Sequence, residues 1–286
     1  SFFITLLIMS HNIIAALFLP IFLVIAFIFI KKDFKKILMA FVLGILSSSF
    51  FWLPALYDLH TVRLSQISVS NIGDHLVPLS RLLIPSWGYG PTPIGLGAFS
   101  PQIGIVALAA IFTSLYLRLR YKYKNIIIID FLVLISFVSI FLMTRYSSYF
   151  WKVIPFISVI QFPWRLLSVI IFSTSYLVAV VIDENKRKWI LTSVIVLASI
   201  LSTVFYIKPA SFIDIPDSYY ATNEDTTTVR DEYLPIWSKE KPTSRANQKI
   251  IVNSNNTTIL NLNIKPNNYK FTVKSGDNIN VVVNTI

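Results

Sequence analysis

The chain has no cysteine, three histidines, three methionines, and 14 acidic residues against 25 basic ones in a length of 286. Without cysteine there is no disulfide framework, thiolate nucleophile or zinc–thiolate site, so any part outside a membrane must hold itself together by packing. Charge is scarce too: Asp, Glu, Lys and Arg make up 14% of the residues, 55% are hydrophobic, and mean hydropathy is +0.66. That balance excludes an ordinary soluble globular domain. The shortage of acidic residues leaves a net charge of +11, which raises nucleic acid as a partner. Much of the basic charge, however, sits in short clusters between apolar runs, where the positive-inside rule expects it, so no nucleic-acid partner is expected.

A bilayer core of roughly 30 Å takes about 20 mostly apolar residues per helix. Apolar runs cover 2–9, 13–30, 37–57, 102–117, 126–144, 162–182 and 189–207. The first reads as the tail of a span and the rest as about six spans. Basic clusters at 31–36, 118–124 and 186–188 hold four, four and three Lys or Arg, and they alternate with the remaining loops. This alternation assigns them to the cytoplasm and assigns 10–12, the loops 58–101 and 145–161, and everything from 208 to the outside. All three histidines, His11, His60 and His75, then fall on the outer side.

From 208 the character turns polar, and "KIIVNS", "TTILNLNI", "YKFTV" and "NINVVV" alternate as strands do, separated by turn formers. The expected fold class is an all-α polytopic membrane domain over 1–207 followed by a small antiparallel β domain over 208–286, outside the cell membrane. The chain opens within an apolar stretch and closes on a strand-like one, which reads as a sequence lacking its N-terminal part and carrying a truncated β domain.

In "QFPWR", Pro163 suits a first helical turn and Trp164 suits headgroup depth. Arg165 breaks two rules: it faces the positive end of the helix dipole, and it lies on the outer side against the basic-residue bias. An anion between the guanidinium and the helix N–H groups would reconcile both, and a lipid phosphate at the bilayer surface is such an anion. The competing reading is an interface anchor that snorkels to the headgroups. In "SHN", His11 and Asn12 suit either helix capping or a ligand role. In "LPALYDLHTVR", Asp58 and His60 offer a general-base pair or divalent-metal ligands, with Asp74 and His75 further along the same loop. Trp87 and Tyr89 can stack on a sugar ring or join an aromatic belt. Asp130, a few residues into its span, reads as interfacial.

"SHN", "WLPALYD", "PSWGYG" with "QIG", "QFPWR" and "EYLPIW", in that order over nearly the whole chain, resemble the bacterial membrane proteins labelled 6-pyruvoyl-tetrahydropterin-synthase-related. These are akin to the YfhO-type proteins of the GT-C glycosyltransferase superfamily. The resemblance implies a GT-C-like fold and an integral membrane enzyme that moves a sugar from a polyprenyl-phosphate carrier to a cell-envelope acceptor at the outer face. It also implies that the essential carboxylate lies in a first outer loop upstream of Ser1, so the segment alone need not be active.

The expectation is therefore a glycosyltransferase-like protein of the inner membrane, with membrane lipids, a polyprenyl-phosphate sugar donor and an envelope acceptor as partners. Arg165, Trp164, Gln161, Asn12, Trp87 and Tyr89 are expected to bind substrate, and Asp58, His60 and His11 to serve catalysis. The metal requirement is open, a divalent ion being the one cofactor considered. The alternatives are a transporter or flippase of a lipid-linked solute, and a non-catalytic anchor presenting the β domain.

Overall fold

The structure, a computed structural model, describes residues 1–66, 71–86, 88, 93–95, 98–121, 126–154, 157, 160–207, 209, 212–222, 231–238, 250–252, 257–265, 268–276 and 278–283. It is mostly helical, with small antiparallel sheets near the C-terminus. The chain divides into two compact units, Ser1–Asp214 and Ile215–Ile286.

In the first unit the helices are α1 (Phe2–Ser10), α2 (Asn12–Phe29), α3 (Phe34–Ser47), α4 (Ser49–Asp58), α5 (Leu79–Leu83), α6 (Ile105–Arg120), α7 (Ile126–Met143), α8 (Ser148–Val153), α9 (Leu167–Asp183) and α10 (Lys188–Thr203). Among the described residues three helices are long and apolar enough to cross a membrane: Asn12–Phe29, Ile126–Met143 and Pro163–Asp183. A fourth follows if the bent pair Lys31–Ser47 and Ser49–Thr61 counts as one span. Of the six runs expected to span, α6 and α10 fall short at 16 residues each, about 24 Å at 1.5 Å per residue.

The run expected to be one helix over 37–57 is broken instead, by a 59° bend. Three consecutive serines, 47 to 49, sit at the break. Ser48, fully buried, turns its hydroxyl back onto the carbonyls of Gly44 (3.1 Å) and Ile45 (2.9 Å). Trp52 Nε1 then donates to the same Ile45 carbonyl at 3.1 Å. Side-chain donors have entered the backbone ladder, which is a recognised cause of a sharp kink. Four residues before the bend, Gly44 lets α1 close on α3. A Cβ there would lie 2.7 Å from Ile4 Cβ, and the Gly44 carbonyl accepts from Thr5 Oγ1 at 3.0 Å. Small residues at such crossings allow the close approach that membrane helices use in place of hydrophobic drive.

Two apolar clusters stack along the bundle. One joins Phe18, Leu76, Val77, Met143, Trp151 and the start of α9; the other joins Ile111, Ile128, Leu132 and Leu177. α2 touches the first cluster through Leu17 and the second through Ile25 and Ile28, and α9 runs the same way, while α7 runs the opposite way. Phe18, Phe22 and Phe172 meet with ring centroids 5.6 Å apart, which ties α2 to α9. Ser114 Oγ on α6 donates to the Leu177 carbonyl on α9 at 3.3 Å, and Ser136 and Ser139 on α7 and Ser173 on α9 are also buried. Because of these directions, α2, α6 and α9 all finish at the end where Lys31, Arg118, Arg120 and Lys186 to Lys188 lie. We call this the basic end.

Among the described residues the second unit holds α11 (Asp217–Thr222) and four strands: β1 (Ile250–Val252), β2 (Thr257–Lys265), β3 (Asn268–Ser275) and β4 (Val281–Val283). They form two separate two-stranded antiparallel sheets, β1 with β4 and β2 with β3. In β2, Leu260 pairs with Thr272 and Asn263 with Lys270, so two residues face one across a bulge. Asn261 adopts φ 53° there, a left-handed conformation that asparagine tolerates better than most residues.

Candidate functional site

The end opposite the basic clusters gathers the polar chemistry. Residues 71–77 cross it as a 3-10 turn, Ile72–His75, and an extended exit. The Asn71 side chain opens the turn by accepting from Gly73 N–H at 3.2 Å and reaches Asp74 Oδ1 at 3.3 Å. Val77 then pairs in parallel with Thr144, just beyond α7. Its N–H donates to the Met143 carbonyl (3.1 Å), and its carbonyl accepts from Arg145 N–H (3.0 Å). Ser147 and Trp151 brace the other side. Ser147 Oγ donates to the carbonyls of Leu142 and Thr144, and Trp151 Nε1 reaches the Leu142 carbonyl at 2.9 Å and Ser147 Oγ at 3.1 Å.

Between these braced segments lies a cleft of about 540 Å³, lined by Gly73, Asp74, Leu76, Ile94, Arg145 and Ser148. Its volume is within the range typical of small-molecule sites. One carboxylate and one guanidinium line it, yet no ion pair joins them. Arg145 was not singled out from the sequence. Its position directly after a span, in a loop that the positive-inside rule assigns to the side poor in cations, is the available signal.

Behind the cleft, His75 is 6% exposed and its ring meets Phe162 edge-on at 4.8 Å. Its Nδ1 has no hydrogen-bond partner. Burial pushes the imidazole pKa down, against a smaller upward pull from Asp74. Phe162 stacks on Trp164 at 5.1 Å, and Trp164 meets Phe99 at 5.2 Å. Trp164 Nε1 is likewise buried without a partner.

Arg165 belongs to this layer, and its surroundings change the expectation drawn for it. The α-helix does not begin at Phe162. Pro163–Leu166 form a 3-10 turn and α9 starts at Leu167, so the cation precedes the α-helix rather than occupying its first turn. Gln161 takes φ 62°, which folds the approach back on itself. Nη1 of Arg165 donates to the Ile160 carbonyl (2.9 Å) and to Gln161 Oε1 (3.0 Å), and the guanidinium carbon lies 4.9 Å from the centre of the Phe162 ring. The chain thus supplies its own acceptors, and an anion is not needed to explain the cation. Nε and Nη2 make no hydrogen bond among the described residues.

The other expected residues are placed as follows. His11 is the N-cap of α2, its Nδ1 accepting from Ile14 N–H at 3.4 Å, and Asn12 Oδ1 accepts from Ile13 N–H at 2.8 Å. Capping is what both do here. Asp58 ends α4 and His60 lies in the next turn, both exposed. His60 Nδ1 meets the Tyr57 carbonyl, its ring packs on the Tyr57 ring, and no hydrogen bond or ion pair joins it to Asp58. Trp87 and Tyr89 lie outside the described residues. No group of three or more metal-ligating side chains occurs among the described residues. Asp130 pairs with Arg118, Nε to Oδ1 at 2.7 Å and Nη2 to Oδ2 at 3.0 Å, in keeping with an interfacial role.

No protein-family model, curated protein or solved structure matches the chain.

Proposed function

We propose that the chain is the multi-pass part of a GT-C-like glycosyltransferase of a bacterial inner membrane, working at the outer face on a polyprenyl-phosphate-linked sugar. About six crossings result if α6 and α10 also span. α10 continues into the turn Val204–Tyr206, α6 ends in Arg118 and Arg120, whose side chains can snorkel, and a short helix is accommodated by local thinning of the bilayer. The basic end is then cytoplasmic, and the cleft and the second unit are extracytoplasmic.

One observation carries this reading. The end that the positive-inside rule turns outward holds a braced polar cleft beside an arginine-bearing helix approach, which offers a pocket for a polar group and a cation for a phosphate. In the transfer, the bond from the anomeric carbon to the carrier phosphate oxygen breaks, the phosphate departs with the electron pair, and an acceptor hydroxyl oxygen bonds to the carbon while its proton passes to water or the departing phosphate. Arg165 Nε and Nη2 are available to the phosphate, whose negative charge grows as the bond breaks. The cleft at Asp74 and Arg145 takes the acceptor's polar part. Asp58, His60, His11 and Asn12 lie on capping or exposed turns and have no assigned step.

The test is transfer from a labelled polyprenyl-phosphate sugar by the full-length protein in membranes. Loss of transfer in Arg165→Ala, with partial retention in Arg165→Lys, is expected. Undiminished transfer in Arg165→Ala overturns the phosphate role, and absence of transfer by the full-length protein overturns the activity.

A further inference from the structure

The geometry points to the cleft at Asp74 and Arg145 as a binding site for a compact zwitterion, an ammonium held by Asp74 and a phosphate or carboxylate held by Arg145. It rests on the proposed reading for its place at the membrane surface; the ligand class follows from the cleft itself.

A carboxylate and a guanidinium free to meet form a bidentate pair, as Arg118 and Asp130 do in this same molecule. Asp74 and Arg145 line one cleft and do not pair. The segments that carry them are each held by hydrogen bonds. The two hydrogen bonds at Val77 fix the segment bearing Asp74 against the end of α7. On the other wall, Ser147 and Trp151 lock the turn that bears Arg145 and Ser148. The Asp74 carboxylate accepts one long hydrogen bond, from Asn71 Nδ2 at 3.3 Å, which leaves most of its acceptor capacity unused. Arg145 is exposed, and no side-chain partner holds its guanidinium.

Charge then selects the occupant. Arg145 opposes a simple cation and Asp74 opposes a simple anion, whereas a molecule with both charges a few ångströms apart satisfies each wall and leaves neither group unpaired. Ser148 adds a hydroxyl beside the anion, and Leu76 with Ile94 give an apolar surface for the carbons between the charges. This chemistry comes from two sources, a phospholipid headgroup with a primary amine or a free aminoalkyl phosphate.

The experiment is calorimetric titration of the full chain in nanodiscs with O-phosphoethanolamine, ethanolamine and inorganic phosphate. In phosphatidylcholine discs, O-phosphoethanolamine should bind at least about tenfold more tightly than either half. Asp74→Asn should reduce it to the level of phosphate, and Arg145→Gln to that of ethanolamine, with melting temperatures showing that both variants remain folded. If discs of phosphatidylethanolamine weaken the titration, the headgroup is the source; if they do not, the source is a free solute. Phosphate binding as tightly as O-phosphoethanolamine, no effect of Asp74→Asn, or no binding of any probe overturns the inference. Because no sugar transfer is measured, loss of the proposed activity with the tenfold preference intact overturns the function and leaves the site standing.

Discussion

At the basic end of the helical unit, Arg118 and Asp130 join α6 to α7 through two hydrogen bonds. At the opposite end, Asp74 and Arg145 face one cleft unpaired, and three buried polar atoms, His75 Nδ1, Ser86 Oγ and Trp164 Nε1, have no partner. Both ends contain a carboxylate and a guanidinium. They differ in whether the charges meet. An end that satisfies its own polar groups is serving the fold, while an end that holds them apart or unmet retains interaction energy for something else. Arg165 lies between these cases: part of its guanidinium is used by its own approach turn and part is not.

The comparison breaks most severely at Trp151, which is 5% exposed and holds the cleft wall through its indole N–H. Trp151→Ala should cost about 3–5 kcal/mol by leaving a cavity, with ligand binding at the cleft lost well before global melting. Trp151→Phe keeps a six-membered aromatic ring but loses the donor and the five-membered ring, for about 1 kcal/mol of hydrogen bond plus a smaller cavity term. Melting curves with parallel titrations check both. Equal loss of binding and stability in Trp151→Phe would mean that the indole N–H, and not the bulk of the ring, shapes the wall.

Next comes Arg165. Arg165→Ala removes two charged hydrogen bonds and a ring contact, and should destabilise by about 1.5–3 kcal/mol. Arg165→Lys should recover only part of this, because one ammonium reproduces neither the planar fork nor its stacking. Full recovery in Arg165→Lys would show that charge, not geometry, holds the approach turn.

Much of the fold is legible in composition and period, and the reasons can be located. α2, α7 and α9 are long, predominantly apolar runs, and β3 alternates between exposed and half-buried positions. His11 breaks the first helix from the second with an extended backbone (φ −165°, ψ 103°), as its place between polar neighbours suggested. The bend at Ser48 is less visible, because hydropathy averages over the serine run and does not single out the one hydroxyl that enters the backbone ladder. The cleft was hidden for another reason. Asp74 and Arg145 are far apart in sequence and come together only through the Val77 and Thr144 bridge, which no local pattern encodes. Arg165 was noticed as a conflict with helix electrostatics, but its resolution by the left-handed Gln161 is a backbone event that residue types do not announce.

His75 tests the unmet end through pH. Because burial lowers its pKa below the usual value of 6.5, the unfolded chain takes up a proton that the folded chain resists. Stability is therefore complete above about pH 6.5 and falls as pH drops below it. The loss should be no steeper than one proton allows. His75→Phe, which preserves the edge-on contact with Phe162, should flatten the profile between pH 7.5 and 5.5, and an unchanged slope in melting experiments would assign the dependence elsewhere.

The smallest effect sharpens the comparison most directly, through double-mutant cycles at the two ends. Arg118 and Asp130 are 34% and 44% exposed, so solvent screening should keep their coupling small despite the two-pronged geometry. Arg118→Gln with Asp130→Asn measures it. Asp74→Asn with Arg145→Gln, measured without ligand, should show coupling near zero, because the charges do not meet. With a zwitterion bound, the second cycle should acquire coupling that the first does not, since the ligand then links the two walls. A ligand-free coupling at Asp74 and Arg145 equal to that at Arg118 and Asp130 would mean that the charges meet in solution, and the distinction between the two ends would collapse.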